Sequence, residues 1–189
     1  MTLEETKKSS LGEWISIAPE LRPSIGKNAD GSMKPFYLTR AFTYSTGDNW
    51  QLDIINSADA NGKVPLVRIN IKGHILWQGD HPIVSGAQKV DFIADEAYEV
   101  TPLFQPFCDV VNQLPGKPIK KWEVNETQNL LGKGFPIFGL VEGQIYAEYD
   151  LIYITNDMMF WGAKHVDGRP FDKLENRPTN LQIPMIRKK

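Results

Sequence analysis

Apolar and polar residues alternate along much of the chain, and this period of two is typical of β-strands that bury one face. The alternating stretches are residues 36–44, 50–57, 65–77, 82–95 and 143–154. Turn sequences lie between them: the segments 46–49 (TGDN) and 59–63 (DANGK) carry the glycine and asparagine residues that hairpin turns need. Glycines inside the strands, at Gly73 and Gly86, predict the bends that close a barrel.

Residues 101–114 break this pattern, because their apolar positions recur at intervals of three and four. Thr101 is a suitable N-cap and Pro115-Gly116 a suitable end, so this segment predicts one short internal helix. The polar segment 1–10 predicts a disordered lead-in. Residues 11–189 are then predicted to form a single, mainly β domain, an antiparallel β-barrel or a sandwich.

Composition narrows the classes of function. The chain has 189 residues, a net charge of −2 and no basic stripe, which gives no electrostatic basis for binding nucleic acid. No apolar run is long enough for an integral membrane segment. Cys108 is the only cysteine, so an internal disulfide is impossible and a reducing compartment is expected. Together with a polar start that lacks a signal peptide, this predicts a cytoplasmic monomer or homodimer without a cofactor.

The histidines offer a weak case for chemistry. His74 and His81 lie seven residues apart, and a metal site needs three or four convergent ligands. We expect both to be ordinary strand and turn residues, with no metal site. The alternative is an enzyme in the barrel mouth that uses His74, His81 and Asp91 as acid–base groups. Cys108 lies on the apolar side of the predicted helix, where an inert buried thiol is expected.

The arginines carry more information. Arg40 interrupts an apolar strand face, and a guanidinium pointing toward a core needs an anion, a carbonyl or an aromatic ring as partner. Arg22 and Arg177 both stand in Glu-x-Arg-Pro, near opposite ends of the chain. Together with Trp14 they predict a cluster that closes one end of the barrel. The alternative is that one arginine binds the carboxylate of an apolar ligand.

Strand alternation also predicts a ligand site, because a barrel of eight or more strands has room for one small apolar molecule. A shift of one residue along any strand would invert the choice of inward positions. The predicted inward, ligand-binding residues are Leu38, Arg40, Phe42, Tyr44, Trp50, Leu52, Val90, Phe92, Tyr149 and Met158.

Several segments, taken in order, carry a family pattern. They are LGEWISIAPELRPS, FYLTRAFTYSTGDNWQLDIINSAD, IKGHI, VSGAQKVDF, YDLIYI and MFWGAKHVDGRPFDKLENRPTNLQIPMI, which span Leu11 to Ile186. In this order the chain resembles the extracellular domain of the adenomatosis polyposis coli down-regulated family, known as Wnt-signalling antagonists. It is similar to a single-domain, cysteine-poor version of that domain, as expected of a microbial relative.

The resemblance implies a lipocalin-like barrel with an apolar pocket that accommodates a lipid. Gly12-x-Trp14 with a late arginine is also similar to the lipocalin signature, in which an arginine covers the tryptophan at the closed end of the barrel. The predicted barrel-closing cluster is therefore Gly12, Trp14, Glu20, Arg22, Glu175 and Arg177.

These observations together favour non-catalytic binding of a small hydrophobic or lipid-like ligand. Two alternatives stay open at this point: the barrel-mouth enzyme, and a protein-interaction module that recruits its partner through an unpaired edge strand.

Overall fold

The computed structural model describes residues 1–114, 120–165 and 167–189, without the side chains of residues 23–27 and 33. Its helices are α1 (Leu3–Ser10) and α2 (Gln105–Val111), with 3-10 turns at Pro136–Phe138 and Leu174–Asn176. Its strands are β1 (Gly12–Ser16), β2 (Glu20–Lys27), β3 (Met33–Ser45), β4 (Asn49–Ser57), β5 (Pro65–Asp80), β6 (Gln88–Pro102), β7 (Gln128–Asn129), β8 (Tyr146–Thr155), β9 (Met158–Trp161) and β10 (Met185–Arg187).

The ten strands described form one antiparallel sheet that closes nearly into a ring, as the sequence predicts. The strand order is β1-β10-β9-β8-β6-β5-β4-β3-β2, and β7 adds to β6. Strand β1 closes the ring, because it pairs with β10 along one edge and with the second half of β3 along the other. The first half of β3 pairs with β2 instead.

The interior of this ring is packed with large apolar side chains. Each strand alternates between an inward and an outward face, so the buried positions recur at every second residue. The core residues of this interior include Trp14, Phe42, Trp50, Leu52, Ile71, Val90, Phe92, Ile152, Met159, Trp161 and Met185. Several rings contact one another directly, and the centroids of Phe42 and Trp161 are 3.8 Å apart.

The closed end of the barrel rests on an arginine that stacks on a buried tryptophan. The Arg187 guanidinium lies 4.2 Å from the centre of the Trp14 ring and donates to the carbonyl oxygens of Leu11 and Ser9, each at 2.7 Å. A side chain at Gly12 would come within 3.2 Å of the same guanidinium, and Gly12 has a positive φ of 110°. The sequence correctly indicates Gly12 and Trp14 as structural residues, but Arg187 covers the tryptophan instead of Arg177.

The N-terminal segment is helical and packs on the barrel, which corrects the prediction of a disordered lead-in. Thr2 and Glu5 form a reciprocal capping box that starts α1. The buried face consists of small hydroxyl residues, Thr6 and Ser10, which carry no apolar signal in the sequence. The Ser10 carbonyl oxygen accepts a hydrogen bond from Trp14 Nε1 at 2.7 Å, which ties the helix to the closed end.

The internal helix α2 is shorter than predicted. It covers Gln105–Val111 with Phe104 at its N-cap, because Thr101 still belongs to β6. The predicted end at Pro115-Gly116 lies outside the described residues. Cys108 is fully buried, and burial raises the pKa of its thiol, as an inert packing role requires.

The two Glu-x-Arg-Pro copies lie in different parts of the structure. Arg22 pairs with Glu20 at the interior. Arg177 lies outside the sheet, where it bridges β6 and β8: it donates to the carbonyl oxygens of Val90 and Asp150, each at 2.6 Å, and pairs with the Asp91 carboxylate. Glu175 is exposed in a 3-10 turn. The structure thus divides the predicted closing cluster between the interior and the outer surface.

No helix of the described segments is both long and apolar enough to cross a membrane.

Replacing Arg177 with alanine is expected to lower the free energy of unfolding by about 3–5 kcal/mol, because Asp91 would be left buried without its cation. The side chains of Arg177 and Asp91 are only 9% and 6% exposed. Urea denaturation measures the change. The matched control is Arg169→Ala, at a half-exposed arginine, which is expected to change stability by less than about 0.5 kcal/mol. Equal losses in both variants would contradict the bridging role of Arg177.

Candidate functional site

A cavity of about 180 Å³ lies inside the barrel, with an apolar part and a charged part. Its apolar wall is made of side chains from six strands and one loop: Leu38, Phe42, Trp50, Leu52, Ile54, Ile71, Phe92, Tyr98, Tyr146, Trp161 and Phe171. Its charged wall carries Arg22, Arg40, Glu148, Asp150 and Lys164, with the polar residue Gln182 beside them.

The charged wall follows from strand alternation. On β8, Tyr146, Glu148 and Asp150 share the inward face, while Tyr149 between them faces outward. On β3, the same rule aligns Arg40 with its apolar neighbours on the cavity wall. The chain thus places one charged residue on the inward face of β3 and two consecutive ones on the inward face of β8.

The cavity lies beside a split in the barrel wall. The pairing of β1 with β10 ends at Ser16 and Met185, and beyond this pair the two backbone segments diverge. The segment after Ser16 continues into β2, which carries Arg22. The segment before Met185 pairs with the residue that follows β9 through the Gly162–Leu181 bridge. Among the residues that the structure describes, no backbone hydrogen bond joins β2 to residues 181–184. Arg22 and Gln182 border the cavity from the two sides of this split.

Glu20 links the two arginines of the site. Its carboxylate pairs with Arg22 through Oε2 and accepts from Arg40 Nε at 2.8 Å through Oε1. Arg40 also lies over the Trp161 ring, with 4.9 Å between the guanidinium carbon and the ring centre. The arginines are held in place by ionic and cation–π contacts, and the Arg40 side chain is only 14% exposed.

Asp150 is a buried carboxyl with one oxygen already occupied. Its Oδ1 accepts from the backbone N–H of Leu151 at 2.7 Å and of Gly162 at 2.9 Å. Glycine is required at position 162, since a Cβ there would lie 2.5 Å from that oxygen and 1.9 Å from Pro178. Burial, followed by the neighbouring Glu148, raises the pKa of Asp150 to about 8, so this group is mainly protonated at neutral pH.

Burial and the nearby cations have opposing effects on the pKa of Glu148. Burial raises the pKa of Glu148, and the nearby Arg40, Lys164 and Arg22 counteract the rise. Burial also lowers the pKa of Lys164, and the charge of Arg22 lowers it further. Arg22 and Arg40 share the carboxylate of Glu20, whereas Lys164 forms no ion pair among the described residues.

The buried Tyr44 hydroxyl and Trp161 indole lie next to each other, and both side chains are at most 3% exposed. Burial raises the pKa of Tyr44, and the contact with the Trp161 side chain counteracts the rise. These two polar groups therefore face each other in the core.

Six of the ten predicted ligand-binding residues line the cavity: Leu38, Arg40, Phe42, Trp50, Leu52 and Phe92. Tyr44 and Val90 are core residues that the cavity does not reach. Tyr149 and Met158 lie on the outer surface, where Tyr149 lines a groove next to Leu140 and Met158 one next to Ile186. On β8 and β9 the predicted inward face was out of phase by one residue.

Sequence reasoning missed the carboxyls of the cavity. Glu148 and Asp150 alternate with apolar residues in the sequence YAEYDLIYI, which is the same signal that singled out Arg40. Lys164 follows β9 in a stretch without periodicity, so only the closed barrel brings it to the site.

The histidines and Asp91 do not share a site. His74 pairs through Nδ1 with Asp95 at 3.0 Å on the exposed surface. His81 is buried and donates through Nε2 to the Pro178 carbonyl oxygen at 3.2 Å, while its Nδ1 accepts from the Val84 amide at 3.0 Å. Asp91 pairs with Arg177. None of the three borders the cavity.

The described residues contain no group of three or more histidine, cysteine, aspartate or glutamate side chains that is suited to hold a metal ion. A scan of the chain against models of known protein families finds none that matches.

His81 is expected to contribute a loss of stability below neutral pH. Burial lowers the pKa of His81 below its ordinary value of 6.5, so the unfolded chain takes up this proton first. Stability from the neutral ring is therefore present above pH 6.5 and is lost as the pH falls below it. The raised pKa of Asp150 acts in the opposite direction, so the contribution of His81 is measured as a difference between variants, from urea midpoints at pH 5.5 and 7.5.

In that experiment, the midpoint of the parent protein is expected to change less favourably than that of His81→Asn when the pH falls from 7.5 to 5.5. His74→Gln is the control of opposite sign, because Asp95 raises the pKa of the exposed His74, so removing it takes away a gain of stability at acid pH. If the parent and His81→Asn show the same change, His81 has no such role.

Proposed function

We propose that this protein binds a small apolar or lipid-like ligand inside the barrel without transforming it. The observation that carries the proposal is the amphipathic cavity: an aromatic and aliphatic wall faces a charged wall, beside a split in the sheet. Enclosed, mostly apolar pockets with a few convergent polar groups are typical of small-molecule sites. The split between β2 and residues 181–184 provides a route of entry.

The closed end supports a lipocalin-like arrangement. An arginine stacked on a buried tryptophan lies at the start of the barrel, as in the lipocalin signature, although Arg187 takes this place. In such barrels one end is sealed and the ligand enters from elsewhere, which suits a cavity whose charged wall borders the split.

The size of the cavity limits the ligand. Pockets for drug-sized molecules have volumes of about 300–1,000 Å³, whereas a cavity of about 150 Å³ holds benzene. At about 180 Å³, the cavity is closer to the second case, so a long acyl chain requires the barrel to widen.

Acid–base catalysis in the same cavity is the second candidate, favoured by the raised pKa of Asp150. A carboxyl that titrates near neutral pH is matched to proton transfer. Recovery of a bound ligand in unchanged form after long incubation distinguishes binding from turnover.

Two neighbouring residues on β4 test the binding site. Ile54 lines the cavity, and Ile55 next to it faces the outer surface. Ile54→Trp is expected to fill the cavity and to abolish binding of small apolar probes such as ethylbenzene. Ile55→Trp is expected to leave binding unchanged. Ligand-detected NMR measures binding, and near-UV circular dichroism confirms that both variants are folded. Equal binding by both variants would place the ligand outside the barrel.

A further inference from the structure

The charged wall of the cavity brings three cationic side chains together around one ion-paired carboxylate. Among the described residues it carries three cationic side chains, Arg22, Arg40 and Lys164, and the ion pairs among them involve only Glu20. The two other acidic groups, Glu148 and Asp150, have raised pKa values because they are buried. Burial of like charges is unfavourable, and an anion placed among them relieves both their repulsion and their desolvation.

The shape of this wall fits a carboxylate. Arginine presents a planar fork of N–H donors that pairs with the two oxygens of a carboxylate. Trp161 borders the same wall, because the Arg40 guanidinium lies over its ring. A carboxylate supplies acceptors for the guanidinium and ammonium donors of this wall, whereas a hydrocarbon supplies none.

The remaining wall fits one aromatic ring. Phe42, Trp50, Phe92 and Trp161 contact one another through tilted, stacked and edge arrangements next to the cavity. Aromatic rings pack favourably against such faces and edges. A volume of about 180 Å³ accommodates one ring with a short side chain.

We propose that the barrel selects a one-ring aromatic monocarboxylate, whose carboxylate pairs with Arg22, Arg40 and Lys164 and whose ring lies among Phe42, Trp50, Phe92 and Trp161. This inference rests on the proposed function, since it names the chemical class of the ligand for the same cavity.

The protonation state of Asp150 is expected to change the affinity of the cavity for the carboxylate. Asp150 gains its charge as the pH rises through about 8, and the new anion then repels the ligand carboxylate. The other titratable or charged groups around Asp150 are Glu148 and Tyr146 on β8, Glu20 and Arg22 on β2, Arg40 and Tyr44 on β3, Tyr98 on β6, and Lys164 and Arg177 beyond β9. Asp150→Asn keeps the carbonyl that accepts from Leu151 and Gly162 but never ionises.

The test is calorimetric titration with three probes at pH 7: 3-phenylpropionate, its neutral analogue 3-phenylpropan-1-ol, and palmitate. The acid is expected to bind at least about tenfold more tightly than the alcohol, because hydrogen bonds to charged groups are the stronger ones. Equal binding of acid and alcohol would overturn the carboxylate, and binding of palmitate alone would overturn the aromatic ring. Either outcome would leave ligand binding intact. Binding of none of the three would overturn both proposals.

Charge variants locate the carboxylate. Lys164→Met and Arg40→Gln are each expected to weaken 3-phenylpropionate binding at least about tenfold and to change binding of the alcohol little. Lys164→Met is the milder change, since Lys164 lies at the partly exposed rim. Arg68→Gln, at an exposed arginine on the outer face of β5, is the matched control and is expected to bind like the parent. An unchanged preference for the acid in Lys164→Met and in any folded Arg40→Gln protein would overturn the assignment.

The pH profile provides an independent readout. In the parent protein, affinity for 3-phenylpropionate is expected to fall between pH 7 and 9, while affinity for the alcohol stays level. Asp150→Asn is expected to remove most of that fall. A fall of the same size in this variant would exclude Asp150 as the group that opposes the ligand.

Discussion

Closure of the sheet at β1 is the constraint on which the rest of this structure depends. One five-residue strand pairs with β10 on one side and with β3 on the other, and this converts a row of strands into a nearly closed ring. In a closed ring every second side chain of a strand points into an enclosed interior, so the alternation along each strand decides which residues are buried. The same closure ends at Ser16 and Met185, and the divergence of the chains beyond that point leaves the split beside the charged wall of the cavity.

The interior shows how a small barrel tolerates charge. Glu20 joins two arginines, Arg40 stacks on Trp161, and two backbone amides hold one oxygen of Asp150. These contacts offset part of the cost of burial, but the raised pKa of Asp150 and the lowered pKa of Lys164 show that the compensation is incomplete. Incomplete compensation at a cavity wall distinguishes this region from an inert core and motivates the proposal of a ligand.

Much of the architecture was readable from periodicity, whereas the phase of individual strands was not. Arg40, Phe42 and Leu52 were assigned correctly to the interior because β3 and β4 join a tight hairpin with apolar residues concentrated on one face. On β8 both faces carry large apolar or aromatic residues, since Asp172, Lys173 and Arg177 lie next to Tyr149 on the outer face, and the pattern there favoured Tyr149 over Asp150. The helix α1 was missed for a related reason, because its buried face consists of hydroxyl residues.

The sequence by itself determined the class of fold, because alternation over strand-length segments separated by hairpin turns is typical of antiparallel β-proteins. It also determined that isolated arginines interrupt apolar strands and must find partners. Only the tertiary structure decided which partners they find. Arg187 rather than Arg177 covers Trp14, and Arg22, Arg40, Glu148, Asp150 and Lys164 meet at one cavity. These residues come from β2, β3, β8 and the segment after β9, and no local pattern relates them, because their proximity arises from the register and closure of the whole ring.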